Sequence, residues 1–143
     1  MIEYKYIKDI ADEHLRPLYQ SVGWVAYTNK FEDLTPLLLN SSMVISAWDD
    51  DRLIGLVRTV GDGFYIAYMQ DLLVHPDYQC KGVGTALMEK ILEANKDMRQ
   101  FITITDGQPE NQYAIDFYKR FGLKSFDETE TCGLWRLGTM PQS

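Results

Sequence analysis

A chain of 143 residues with 45% hydrophobic, 13% aromatic and 24% charged side chains has the size and composition of one ordinary globular domain and is too short for two independent cores. Fourteen Lys and Arg against 21 Asp and Glu leave a net charge of -7, which argues against a surface built to neutralise nucleic-acid phosphates. Cys80 and Cys132 support neither a disulfide framework nor a zinc site, and neither a signal-like leader nor a membrane-length apolar run is visible, so a reducing, cytoplasmic setting without metal or membrane is expected.

Ile2, Tyr4 and Tyr6 alternate with polar neighbours and predict a short first strand. Residues 10–20 carry Leu15, Leu18 and Tyr19 on one helical side, with Pro17 predicting a kink or an early end. A second helix is expected over residues 31–39. Residues 43–48 and 53–60 then read as two strands of a hairpin around Asp49-Asp50-Asp51, and Gly61-Asp62-Gly63 turns the chain into a third, long strand over residues 64–74. After His75-Pro76 a helix is expected from about Gly82, with Val83, Leu87, Met88, Ile91 and Leu92 on one face. Residues 101–105 read as a buried strand and residues 111–120 as a helix, with Gly122 placed for a left-handed cap. Two last strands are expected at 123–126 and 132–137. No repeat or linker interrupts this order, so residues 1–143 are read as a single mixed α/β domain.

The stretch Gln79-Cys80-Lys81-Gly82-Val83-Gly84-Thr85 carries the chemistry. Glycines at a helix start bring the main chain close to a ligand, and the free N–H groups there favour an anion such as phosphate. A Walker A loop is excluded, because Gly84 is followed by Thr85-Ala86 and not by Lys-Ser/Thr. A dinucleotide fingerprint fits poorly, because Leu87 stands where its third Gly or Ala belongs and seven residues separate the strand from the first glycine.

This loop resembles the pyrophosphate loop of the GCN5-related N-acetyltransferases, Gln/Arg-x-x-Gly-x-Gly/Ala, at Gln79, Gly82 and Gly84. Asn111, Ala114, Phe117, Tyr118 and Gly122 follow the order of that family's next helix, with Leu123 where Phe is more usual. The resemblance is strongest from Met69 to Lys124. It implies a mixed, mostly antiparallel sheet of about six or seven strands flanked by about four helices and splayed between the fourth and fifth strands. It further implies that acetyl-coenzyme A lies in that splay, with the pantetheine arm paired to backbone at Leu72, Leu73 and Val74, and the pyrophosphate on the loop of Gln79, Cys80, Lys81, Gly82, Val83, Gly84 and Thr85. An amine acceptor, direct attack through a ternary complex, and no nucleic-acid partner complete the expectation; a homodimer is compatible with it.

Acetyl transfer to an amine needs a neutral nucleophile, a polarised thioester and a proton for the departing thiolate. Tyr118 matches the family's leaving-group acid, although by residue type alone it reads as a core aromatic beside Phe117. Asn111 offers a hydrogen bond to pantetheine or, equally by position, a helix N-cap. A carboxylate at Asp71, inside an apolar strand, must be paired or face a polar opening, so it is a candidate base or amine anchor, or a structural acceptor where the strand bulges. Tyr68, three residues earlier, faces the other way on an unbulged strand, leaving Asp71, Tyr68 or water to take the amine proton. Trp24 and Tyr27 lie in the segment that usually covers the acceptor, where they would wall an amine pocket or pack in the core. His14 and His75 read as surface or turn residues, and Cys80 is not expected to act as a nucleophile. Small-molecule amine acetylation is the favoured reading. Acetylation of a protein amino terminus or lysine is the alternative, as is a coenzyme A-binding regulatory module without activity.

Overall fold

The computed structural model describes residues 1–138, in two compact units split after Ile104. The first unit holds one five-stranded sheet in the order β1 (Ile2–Lys5), β2 (Met43–Asp49), β3 (Arg52–Gly61), β4 (Ile66–Val74), β5 (Gln100–Thr103). Neighbours run antiparallel except β4 and β5, which are parallel. The mixed, mostly antiparallel sheet agrees with expectation. Its strand count among the described residues is lower, because neither C-terminal strand forms. Ser125 and Glu128 close a capping box on a 3₁₀ turn at Phe126–Thr129, which takes up the end of the first expected strand. Residues 132–137 have no ladder partner among the described residues, and Leu134, Trp135 and Leu137 stay exposed.

Helix α1 (Asp12–Ser21) runs through Pro17 instead of ending there. The helix expected at 31–39 is shortened to α3 (Thr35–Leu39), and a further short helix, α2 (Val25–Thr28), stands before it. The reason is local: the Asp33 carboxylate accepts the Thr35 N–H and hydroxyl at 3.0 and 2.8 Å, and Pro36 sits in the first turn, so the helix starts two residues past the aspartate. Ile10, Leu15, Leu18 and Tyr19 meet Leu34, Leu38, Val44, Trp48, Leu56 and Leu73 in the main core. On the opposite face α4 (Val83–Ala94) buries Val83, Leu87, Met88 and Ile91. A Cβ on Gly55 would lie 3.1 Å from Val83 Cγ1 and 3.2 Å from Leu87 Cδ1, so the glycine in β3 lets the start of α4 lie close against the sheet.

One ion pair fastens the segment after α1. Arg16 donates to Asp12 at 2.9 Å and to the carbonyls of Thr28 and Phe31 at 2.9 and 2.8 Å, while Asp12 Oδ1 accepts the Leu34 N–H at 2.7 Å. The Arg16 hydrogen bond holds the Asp12 carboxyl below its ordinary value. A carboxyl depressed in the folded state contributes stability above the ordinary carboxylate pKa of about 4 and loses it as pH falls through the folded-state value. Urea midpoints of Asp12→Asn are therefore expected to lie below wild type at pH 7 and to converge on it as the pH falls through the lowered folded-state value. A constant gap across that window would refute the linkage.

The second unit contains α5 (Gln112–Arg120), which ends in Gly122 at φ +90°, the left-handed cap expected of it. No helix among the described residues is long and apolar enough to cross a membrane.

Candidate active site

The ladder between β3 and β4 slips by one residue at the centre of the sheet. Arg58 pairs with Asp71 and Thr59 with Met69, leaving Gln70 as an extra residue on β4, a β-bulge. On its other edge β4 pairs with β5 only from Ile66↔Gln100 to Met69↔Thr103. From Gln70 onward β4 continues to Val74 without β5 beside it, so the bulge and the parting of the fourth and fifth strands fall at the same place. Main-chain groups on that edge have no β5 partner beyond Met69. The bulge also resets the alternation: Tyr68, paired with Val60, and Asp71, paired with Arg58, share a face, where the unbulged pattern would have opposed them. Burial first, then the phenol of Tyr27 and the charge of Asp71, raise the Tyr68 pKa. Leu72 and Val74 are half-buried and Leu73 is core, so any role of these three in binding is one of backbone.

Beyond β4 a 3₁₀ turn, Pro76–Tyr78, leads into the glycine loop. Gln79 donates its side-chain amide to the Val74 carbonyl at 2.9 Å, fastening the loop to the strand end. Cys80 and Gly82 both take left-handed backbone, φ +61° and +86°; at Gly82 a Cβ would meet nothing within 4 Å, so conformation and not space favours glycine. Helix α4 starts with no side-chain cap and no acidic residue in its first turn, in contrast to α1, which opens with Asp12 and Glu13. Among the described residues no side chain caps the N–H groups of Val83, Gly84 and Thr85, and the positive helix end lies behind them. Lys81 is exposed, its ammonium 5.7 Å from the Tyr78 ring centroid.

Asp71 is where expectation and structure part. Its carboxylate does not open onto a polar cleft: the residue is 3% exposed and receives Arg58 Nε at 2.5 Å, the Tyr19 hydroxyl at 2.9 Å and the Tyr27 hydroxyl at 3.3 Å. Arg58 completes its fan on the Tyr27 hydroxyl at 3.1 Å, the Ser41 hydroxyl at 3.3 Å and the Leu37 carbonyl at 3.4 Å. Burial alone would lower the Arg58 pKa, but the adjacent Asp71 charge more than offsets it and holds the guanidinium protonated. Burial, reinforced by Asp71, pushes the Tyr19 and Tyr27 phenols up, so both remain donors at neutral pH. Tyr27 therefore does meet Asp71, but as part of a closed network. Trp24 stands at its margin, 38% exposed and 6.3 Å from Tyr19 between ring centroids.

Arg58, Tyr19 and Gln70 were absent from the expected set. A signal for Arg58 existed: it is a charge inside the apolar run of β3, and the cost argument applied to Asp71 demands a partner of just that kind. Beside Arg58 a pocket of about 390 Å³ is walled by Phe31, Pro36, Leu37 and Val60.

In the second unit Asn111 occupies the N-cap position of α5 but does not cap it with its side chain, which donates to Thr105 Oγ1 and the Asp106 carbonyl at 3.0 and 2.6 Å. Tyr118 is half-buried, edge-on to Phe117 at 5.6 Å. His75 accepts the Asp77 N–H at 3.1 Å and His14 packs edge-on to Trp48 at 5.2 Å, turn and packing roles respectively. Both cysteines are free and exposed.

Comparison with known proteins agrees with this geometry. Residues 7–123, which run across both units, match the "Acetyltransferase (GNAT) family". An uncharacterised N-acetyltransferase, ycf52-like, of Prochlorococcus marinus is 31% identical over 125 residues, 85% of this chain and 67% of its own length. A GNAT-family acetyltransferase of Streptococcus pneumoniae superimposes with a TM-score of 0.81 at 31% identity, covering 98% of this chain and 100% of that one. At 18% identity, hence for the fold alone, AAC(6')-Iy in complex with the bisubstrate analogue CoA-S-monomethyl-acetylneamine gives a TM-score of 0.68, with 97% and 99% covered. With a bulged fourth strand parting from the fifth, an uncapped helix behind a glycine loop and a family match over most of its length, the chain belongs to the GNAT family of acetyltransferases.

Proposed function

We propose that this chain transfers the acetyl group of acetyl-coenzyme A to the primary amine of a small molecule, residues 1–143 acting as a single catalytic domain in the cytoplasm. The observation that carries the reading is the bare start of α4, with neither cap nor acid in its first turn, directly after a strand whose edge is open beyond Met69. The residues fit the cosubstrate. Main-chain amides from Lys81 to Thr85 suit a pyrophosphate, and the open edge of Leu72, Leu73 and Val74 suits the amide-bearing pantetheine arm, paired as a further strand would be. The cosubstrate supplies an activated acetyl thioester. Main-chain groups freed at the Gln70 bulge are available to polarise its carbonyl, and Tyr118 is assigned the proton donated to the departing thiolate. An amine must shed a proton before attack. Asp71 is fully engaged with Arg58 and two phenols, and the raised Tyr68 phenol stays protonated, so we assign that proton to water. A small amine as acceptor is supported by the CoA–acetylneamine analogue bound to the solved neighbour, and Trp24 supplies a half-exposed aromatic wall suited to a cation.

Calorimetry with coenzyme A tests the loop. Gly84→Val crowds the first turn of α4 while remaining compatible with helix, and binding is expected to weaken by about 100-fold or more, since charge-assisted hydrogen bonds contribute about 1.5–3 kcal/mol each. Wild-type affinity in a variant with wild-type circular dichroism would overturn the assignment. Turnover of an amine panel with acetyl-coenzyme A tests the reaction.

A further inference from the structure

Tyr27 sits at the centre of a network whose hydrogen bonds close completely. A phenol has one proton and two lone pairs. The Tyr27 oxygen accepts from Arg58 Nη2 at 3.1 Å and from Gln70 Nε2 at 3.1 Å, and its proton points to Asp71 Oδ1 at 3.3 Å. No valence is left for a substrate, so the hydroxyl serves the protein. Its partners are particular ones: Gln70 is the extra residue of the β4 bulge, and Arg58 and Asp71 are the buried ion pair directly beside that bulge in the ladder, at 8% and 4% side-chain exposure. Through Tyr19 on α1, Tyr27 on α2 and Ser41 after α3, the same ion pair anchors the three helices that cover this face.

From this closure we infer that Gln70, Tyr27 and Arg58 are positioning residues that fix the β4 bulge. The inference rests on the acetyl-transfer reading, in which the freed main chain at the bulge meets the thioester carbonyl. A bulge residue lacks the ladder bonds that hold its neighbours, so its main chain is free to shift unless its side chain is tethered. Gln70 is exposed and yet reaches inward to Tyr27, whose own place is set by two charged groups that cannot move without losing each other. A tether ending in a buried ion pair holds its geometry, and displacements of about 1 Å in a site of this kind cost up to about 100-fold in rate.

The test is a double-mutant cycle of Gln70→Ala and Tyr27→Phe, read in kcat, in KM for acetyl-coenzyme A, and in amide hydrogen exchange of residues 69–72. Gln70→Ala removes only an exposed side chain, so its fold is secure. Each single variant is expected to lower kcat by roughly 10- to 100-fold with KM for acetyl-coenzyme A within about two-fold, and to speed exchange at the bulge; the double variant is expected to be no worse than the poorer single one. Full kcat in Gln70→Ala, or multiplicative losses in the double variant, overturns the inference, as does faster exchange without loss of kcat. A wild-type chain that binds coenzyme A but acetylates no amine overturns the acetyl-transfer reading and this inference with it.

Discussion

Asp71→Asn is expected to destabilise the protein by about 3–5 kcal/mol, because it leaves the Arg58 guanidinium buried without its counter-charge. With side-chain exposures of 8% and 4% and an Nε–Oδ2 distance of 2.5 Å, neither charge can recover hydration by turning outward. Against a typical total of about 5–15 kcal/mol, a loss of this size lowers the melting temperature by roughly 10–15 °C for a domain of this length. Arg58→Met is expected to cost a similar amount for the mirrored reason. Combining Arg58→Met with Asp71→Leu removes both charges and is expected to restore part of the loss, though not all, since the hydroxyls of Tyr19 and Tyr27 then lack the acceptor they now share. Differential scanning calorimetry of the three variants at pH 7 decides the matter. Had Asp71 been a solvent-facing base, Asp71→Asn would leave the melting temperature nearly unchanged and show its effect in the rate alone; that result would reverse the present assignment.

The same residue marks the limit of what one sequence conveys here. The expense of a carboxylate in an apolar strand is legible from residues alone, and it correctly demands a partner or an opening for Asp71. Choosing between them requires the register of β3 against β4, and nothing in Tyr68-Met69-Gln70-Asp71 marks the extra residue that sets that register. Strict alternation therefore puts Tyr68 and Asp71 on opposite faces, whereas the bulge at Gln70 puts them on the same one. Elements governed by local signals are read well: α4 begins within a residue of Gly82 and β2 ends within a residue of Trp48. Elements that depend on a distant partner are not, as residues 132–137 illustrate, because an apolar run permits a strand but only a neighbouring strand makes one. In the glycine loop, spacing alone foretells a helix start close behind Gly82; the left-handed backbone at Cys80, a residue that disfavours it, is visible only in the structure.

Tyr118→Phe is expected to lower kcat by about 10²- to 10⁴-fold, the usual contribution of a positioned general acid, with acetyl-coenzyme A affinity unchanged. Expulsion of a thiolate from a thioester is easier when a proton or a strong hydrogen bond meets the sulfur as the bond breaks, and a phenol with an ordinary pKa of about 10 is protonated at neutral pH and close enough to a thiol's value of about 8.5 to pass the proton on. Tyr118 stands at the aromatic pair of the family's motif, between Asn111 and Gly122 on α5. Phenylalanine keeps the ring, its edge-on contact with Phe117 and the turn before Gly122, so any loss reports the hydroxyl. Two readouts separate acid catalysis from packing: the melting temperature is expected to stay within a few degrees of wild type, and the high-pH limb of the kcat profile, where the acid would ionise, is expected to vanish in the variant. Pre-steady-state bursts establish whether chemistry limits turnover. A wild-type kcat in Tyr118→Phe with chemistry limiting would return Tyr118 to the packing of α5 and pass the thiolate's proton to water.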